Sequence, residues 1–152
     1  MAKREFAHPN EMHKFVGQEI GTSDWVEITQ ERINRFADAT GDHQWIHVDV
    51  ERAKRESPYG RTIAHGLLTV SLNGYFMKAV KLPWSRMGVY YGMNKLRFPA
   101  PVPVGSRIRG RVAPAEVSDF DGGIQIVWCI TVEREGEGKP VAIIETVSRQ
   151  HF

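Results

Sequence analysis

The sequence predicts an α+β fold in which an antiparallel sheet is long enough to wrap around one buried helix. Three observations carry that expectation. Leu67, Leu68, Val70, Leu72, Tyr75, Phe76, Ala79 and Val80 spread nearly all round a helix running from Gly66 to about Val80, and a helix apolar on most faces is a buried one. After Gly88 the apolar period changes to two, so that 89–98, 107–117, 123–134 and 141–152 read as strands. Phe120-Asp121-Gly122-Gly123 and Glu135-Gly136-Glu137-Gly138 have the turn chemistry of hairpin loops, and strands joined so tightly must run antiparallel.

The elements follow in order. The first residues carry Lys3 and Arg4 but no apolar stretch, so they are not read as a signal peptide, and 1–14 is set apart as an N-terminal extension of a single domain spanning 1–152. Trp25-Val26-Glu27-Ile28 alternates and reads as a short strand. Thr29 sits where a helix N-cap belongs, because its hydroxyl can accept from an exposed backbone N–H. Ile33, Phe36, Ala37 and Thr40 give the following helix one apolar face, and Gly41 is its expected stop, since the residue past a helix commonly needs positive φ. From Asp42 to His65 the chain is irregular apart from a short helix around 50–55. In the strand over 123–134, Ile124, Ile126, Trp128, Ile130 and Val132 occupy one face.

Composition narrows the function. The chain has 152 residues, 41% hydrophobic and 25% charged, which suits one globular domain. Twenty Lys and Arg against 18 Asp and Glu leave a net charge of +2, too even for non-specific nucleic-acid binding. No stretch has the length and apolarity of a membrane span. Cys129 is the only cysteine, which excludes an intrachain disulfide and a cysteine metal cluster and fits a cytoplasmic location; alternating with apolar neighbours, it reads as an inert buried thiol.

Chemistry concentrates in two places. Residues 36–49 put Asp42, His43, Gln44 and His47 in an irregular loop directly after a helix, and loops on a rigid scaffold are where catalytic groups collect. Further on, Ile63-Ala64-His65-Gly66-Leu67-Leu68 opens the buried helix with a glycine. The first N–H groups of a helix lack internal partners and lie at the positive end of its dipole, so they can stabilise an oxyanion, and glycine lets a carbonyl approach.

At these residues the sequence resembles the MaoC-like dehydratases, the (R)-specific enoyl-CoA hydratase family. Thr40-Gly41-Asp42-His43-Gln44-Trp45-Ile46-His47-Val48-Asp49 is similar to the family's S/T-G-D-x-N-P-x-H-x-D, with Gln44-Trp45 in place of Asn-Pro, and His65-Gly66 follows at the family's separation. Asn94-Lys95-Leu96-Arg97-Phe98-Pro99-Ala100-Pro101-Val102-Pro103-Val104-Gly105-Ser106 is similar to a nodulation-protein-N-like branch, and the resemblance extends from about Phe15 to the C-terminus. It implies a hotdog fold, a homodimer, and hydration of trans-2-enoyl thioesters carried by CoA or an acyl carrier protein, or the reverse dehydration, in fatty-acid metabolism. Asp42 and His47 would hold and deprotonate the water, and the Gly66 N–H would bind the thioester oxygen. No metal and no cofactor beyond the thioester carrier would be needed.

Other readings stand beside these. Asp42 also suits a turn residue closing a helix. His65, Asn73, Lys95 and Arg97 form the expected substrate-binding set, although His65 equally suits a structural role at the helix start and Asn73 a satisfied core amide. Lys95, Arg97, Arg107, Arg109 and Arg111 are either a solvated strand face or a phosphate-attracting patch. Acyl-CoA thioesterase and a non-catalytic acyl-thioester-binding module are the competing functions.

Overall fold

The computed structural model describes residues 3–152. In chain order the elements are β1 (Arg4–Glu5), α1 (Glu11–Lys14), β2 (Gly21–Thr22), β3 (Val26–Glu27), α2 (Gln30–Thr40), α3 (Trp45–Val48) and α4 (Val50–Glu56). Then come α5 (Gly66–Ser71), α6 (Asn73–Phe76), a 3₁₀ turn (Met77–Ala79), β4 (Val80–Lys81), β5 (Met87–Arg97), β6 (Arg107–Phe120), β7 (Gly123–Arg134) and β8 (Ala142–His151). The four long strands predicted from the change of period all form, with no end moved by more than three residues.

The main sheet runs β2-β6-β7-β8-β5, with β3 also on β6, and its pairings are antiparallel. Register shifts at Pro114/Glu116 on β6 and at Tyr90/Gly92 and Met93/Lys95 on β5 insert extra residues. Such bulges bend a strand and raise its twist, and one of them accommodates Pro114, which could not donate to a regular ladder. The sheet thereby curves around the α5–α6 segment. Ile108, Val112, Ile126, Ile130, Val132 and Ile144 are fully buried on its inner face, and Phe76 meets them from the helical side. Contact is closest at Gly110, where an added Cβ would stand 2.7 Å from Phe76 Cβ and Cγ, so only glycine admits the helix at this depth.

Two helix-end expectations hold in detail. Thr29 Oγ1 accepts from Arg32 N–H at 3.2 Å, and Gly41 closes α2 with φ 78° while its N–H donates to Ala37 O. The central helix differs from the expectation of one continuous element. Ser71 Oγ donates back to Leu68 O at 2.6 Å, the Leu72 N–H is shared between Leu68 and Thr69 carbonyls, and Leu72 has ψ 5°. Back-bonding by serine, followed by the poor helix formers Asn73 and Gly74, breaks the helix into three pieces. Nor is it buried all round, for Leu67 is 63% exposed on a face it shares with a groove bounded by Tyr90 of β5. Residues 3–14 pack into the body of the fold, with Phe6 and Met12 in the core and β1 paired to β4. Cys129 is half-buried on β7, and no described helix is long and apolar enough to cross a membrane.

Candidate active site

Two segments, joined by hydrogen bonds, build the site. After Gly41 turns the chain out of α2, Asp42 Oδ1 accepts the Gln44 N–H at 3.3 Å, an Asx turn that leads into α3. Trp45, at the start of α3, is half-buried beneath the Arg52 guanidinium, 4.3 Å from its ring centroid. Residues 62–64 run alongside 102–104, with Ala64 N–H to Val102 O at 2.8 Å and Val104 N–H to Thr62 O at 2.9 Å. The loop docks on that strip through Ile63 N–H to Ile46 O at 3.1 Å.

His47 is 9% exposed, and its Nδ1 donates to Ile63 O at 2.7 Å. A carbonyl can only accept, so Nδ1 carries the proton and Nε2 keeps a free lone pair. Burial lowers the His47 pKa below its ordinary value, and the neighbouring His65 lowers it further, against the hydrogen bond to Ile63 and the Asp42 charge. His65 is 3% exposed, and its Nε2 donates to the Asp42 carbonyl at 2.9 Å. Its ring stacks on that of His47 with centroids 3.8 Å apart and planes inclined by 24°, and the Phe36 ring packs against it, tilted, with centroids 4.9 Å apart. A carboxylate oxygen of Asp42 and one ring nitrogen from each histidine lie within 4.8 Å of one another.

Immediately after His65, α5 begins. Leu68 and Thr69 N–H groups bond to the His65 carbonyl, whereas those of Gly66 and Leu67 have no protein partner among the described residues. An added Cβ at Gly66 would stand 2.7 Å from Phe98 Cζ, so the phenyl ring lies directly over this helix start. A cavity of about 320 Å³ opens here between Gly66, Thr69, Phe98 and Val102. On the other side a groove of about 530 Å³ runs from Phe36 and Leu67 to Asn73 and Tyr90.

The structure therefore brings Asp42, His47, His65 and Gly66 together. Asn73 lines the groove, and its Oδ1 is buried without a partner, so it is not the satisfied core amide that the sequence also allowed. Lys95 and Arg97 lie apart on exposed β5, Arg97 as its last residue before Phe98 and Lys95 two residues earlier. Arg107, Arg109 and Arg111 do not belong with them, because β7 and β8 intervene. Each has an acidic partner: Glu135 for Arg107, Glu133 for Arg109, and Glu19 for Arg111. His43 is exposed and bound to Asp38 at 2.9 Å, which raises its pKa.

Two supporting residues were not visible in the sequence. Gln30 Nε2 donates to the His47 carbonyl at 2.8 Å, and buried Thr62 donates its hydroxyl to Gln30 Oε1 at 2.5 Å. They stand 17 and 32 residues from their partners, so no local pattern marks them.

Comparison with known proteins agrees with this geometry. The MaoC-like domain profile matches residues 11–132. The 3-hydroxyacyl-thioester dehydratase Z of Mycobacterium tuberculosis is 48% identical over 153 residues, covering 96% of this chain and 97% of the relative. Nodulation protein N of Rhizobium leguminosarum bv. viciae is 47% identical over 129 residues, covering 82% and 80%. The solved structure of a monoamine oxidase regulatory protein from Archaeoglobus fulgius superposes with a TM-score of 0.79 at 23% identity, covering 99% and 98%, and shares the hotdog fold. The chain belongs to the MaoC-like domain family.

Proposed function

We propose that this protein is a hydro-lyase that adds water to trans-2-enoyl thioesters, giving (R)-3-hydroxyacyl thioesters, and catalyses the reverse dehydration. One observation carries the reading: a carboxylate and a neutral imidazole lie within 4.8 Å of each other, next to a helix start whose N–H groups at Gly66 and Leu67 lack protein partners. Conjugate addition of water needs those parts. The free Nε2 of His47 and the Asp42 carboxylate bind a water and take its proton as its oxygen bonds to C3. The C2–C3 π electrons move toward the thioester oxygen, where the Gly66 N–H at the positive helix end receives the developing charge. The proton then returns at C2, so one water is consumed. The relative named a 3-hydroxyacyl-thioester dehydratase supports the substrate class.

The reaction draws on no metal or redox cofactor. CoA or an acyl carrier protein bears the substrate, and Lys95 and Arg97 attract its phosphates. A second copy of the chain covers the open β5 edge and Leu67, making a homodimer in the cytoplasm. An exposed edge strand carrying Met87, Val89, Tyr90 and Tyr91, each at least 40% exposed, supports that pairing.

The deciding experiment follows crotonyl-CoA absorbance with wild type and Asp42→Asn, with chiral analysis of the product. Rapid loss to the (R)-3-hydroxy product, absent in the variant, is expected. Acyl-CoA binding without turnover of short, long or carrier-bound enoyl thioesters would leave a binding module instead, and release of free CoA would identify a thioesterase.

A further inference from the structure

The ring of His65 is held in an unusual set of contacts. It is almost wholly buried at 3% exposure, yet it carries a titratable group and reaches both polar residues of the site. Its Nε2–H is committed to the Asp42 backbone carbonyl at 2.9 Å. Its face is committed to the His47 ring at 3.8 Å, and the Phe36 ring packs against it at 4.9 Å. Its Nδ1 is buried with no partner. The backbone carbonyl of the same residue accepts the Leu68 and Thr69 N–H groups that begin α5. A single residue thus touches the loop that bears the carboxylate, the imidazole beside it and the start of the helix α5.

We propose that His65 is a positioning residue that sets the register of Asp42 against His47 and covers one face of the His47 ring, acting through its hydrogen bond and its stack and not through contact with substrate. This rests on the hydratase reading for its consequence in turnover, but not for its geometry. Two physical arguments lead to it. First, the Nε2–H bond pins the peptide of Asp42, so the carboxylate cannot swing away from the imidazole as the loop breathes; a misplacement of about 1 Å at such a site can cost on the order of a hundredfold in rate. Second, the His65 ring stacks on that of His47 with centroids 3.8 Å apart and shields one face of it from water.

The groups facing His47 bear this out. His65 lies against its face from the α5 start, the Asp42 carboxylate approaches from the loop after α2, and the Ile63 carbonyl fixes Nδ1. His43 and Asp38 pair with each other at 2.9 Å at the surface. Asp42 is thus the acid able to offset a proton on His47, which couples the two through the residue that spaces them.

The test separates the hydrogen bond from the stack. His65→Gln keeps an amide donor near the Nε2 position but removes the aromatic cover, while His65→Phe keeps the cover and removes the donor. Nitrogen-15 imidazole spectra of the intact wild-type protein should show His65 as the Nε2–H tautomer and His47 as the Nδ1–H tautomer at neutral pH. In His65→Gln, kcat at the alkaline plateau should stay within about threefold of wild type while the acid limb of kcat/KM and the His47 titration both move up in pH. In His65→Phe the limb should stay put while kcat drops about tenfold or more with KM little changed.

Outcomes against the proposal are equally definite. The opposite tautomer at either histidine overturns it, as does loss of turnover in both variants that follows thermal stability alone with an unmoved His47 titration. A wild type that turns over no enoyl thioester overturns the hydratase reading, while the tautomers and the His47 titration still judge His65.

Discussion

The loop carrying Asp42 and His47 and the strand carrying Arg107, Arg109 and Arg111 both gather polar side chains, and they use them in opposite ways. On β6 each arginine meets a glutamate from β7, the following turn or the β2 approach, with side chains about a quarter to a half exposed. The ladder is electrically closed and offers a ligand little. Around Asp42 the hydrogen-bonding capacity is left open: His47 keeps Nε2, Gly66 and Leu67 keep their N–H groups, and the anchoring bonds run to backbone carbonyls instead. Charge density marks neither region as a site. Unfilled valences held rigid by filled ones do.

The sharpest way to break that contrast is to truncate one residue from each region. His47→Ala should lower hydration by about a hundred- to ten-thousandfold, the usual worth of a positioned acid–base group. Arg109→Ala should leave kcat and KM unchanged and cost about 1 kcal/mol or less of stability, since a partly exposed ion pair contributes little. Urea unfolding alongside steady-state rates reads both. Equal losses of activity in the two variants would erase the distinction.

A smaller effect is expected at the helix start. Gly66→Ala inserts a methyl 2.7 Å from the Phe98 ring, and such overpacking costs about 1–3 kcal/mol. It also displaces the N–H that should receive the thioester oxygen, so kcat should fall roughly tenfold or more. In a Phe98→Ala background most of the stability penalty should vanish. A penalty that persists there would show that the clash is not with Phe98.

How far the sequence reaches is itself decided by the range of each interaction. Thr29, Gly41 and the inner face of β7 were legible because a cap, a left-handed stop and a two-residue period are local codes. The Asp42–His47 spacing and His65-Gly66 were legible through a family motif. The break at Leu72 arises from a serine back-bond and the exposure of Leu67 from the absence of a covering element, neither of which periodicity encodes. Arg107 and Arg111 meet glutamates 28 and 92 residues away, so grouping them with Lys95 and Arg97 by sequence density joined strands that the fold separates.

Titration should distinguish two histidines only four residues apart. Burial depresses His47, so the acid limb of hydration should lie below the ordinary imidazole value of about 6.5. The same depression means that the unfolded chain binds this proton first. Stability from His47 is therefore present above about pH 6.5 and is lost as pH falls from there through the folded-state value. His43, raised by Asp38, has the opposite sign: what it adds is present at low pH and lost as pH rises through its folded value. Because that pair is at the surface, Asp38→Asn should shift the His43 titration down without moving the hydration profile.

The mildest effect is expected where charge meets solvent, at Lys95 and Arg97. Among the described residues neither has an acidic partner, and Arg97 donates instead to the Leu96 carbonyl. Open cations on an exposed strand can steer a phosphorylated carrier, but water and salt weaken each contact to about 1 kcal/mol. Lys95→Glu combined with Arg97→Glu should therefore raise KM for crotonyl-CoA by roughly three- to tenfold with kcat within about twofold, and the difference should shrink in added salt. Reversing Arg107 and Arg109 instead strands Glu135 and Glu133 beside new carboxylates, so that pair should lower the unfolding midpoint and leave KM alone. If Lys95 and Arg97 behave like Arg107 and Arg109, the phosphate-attracting role goes, and the division between open and closed charge ends at the Asp42 loop.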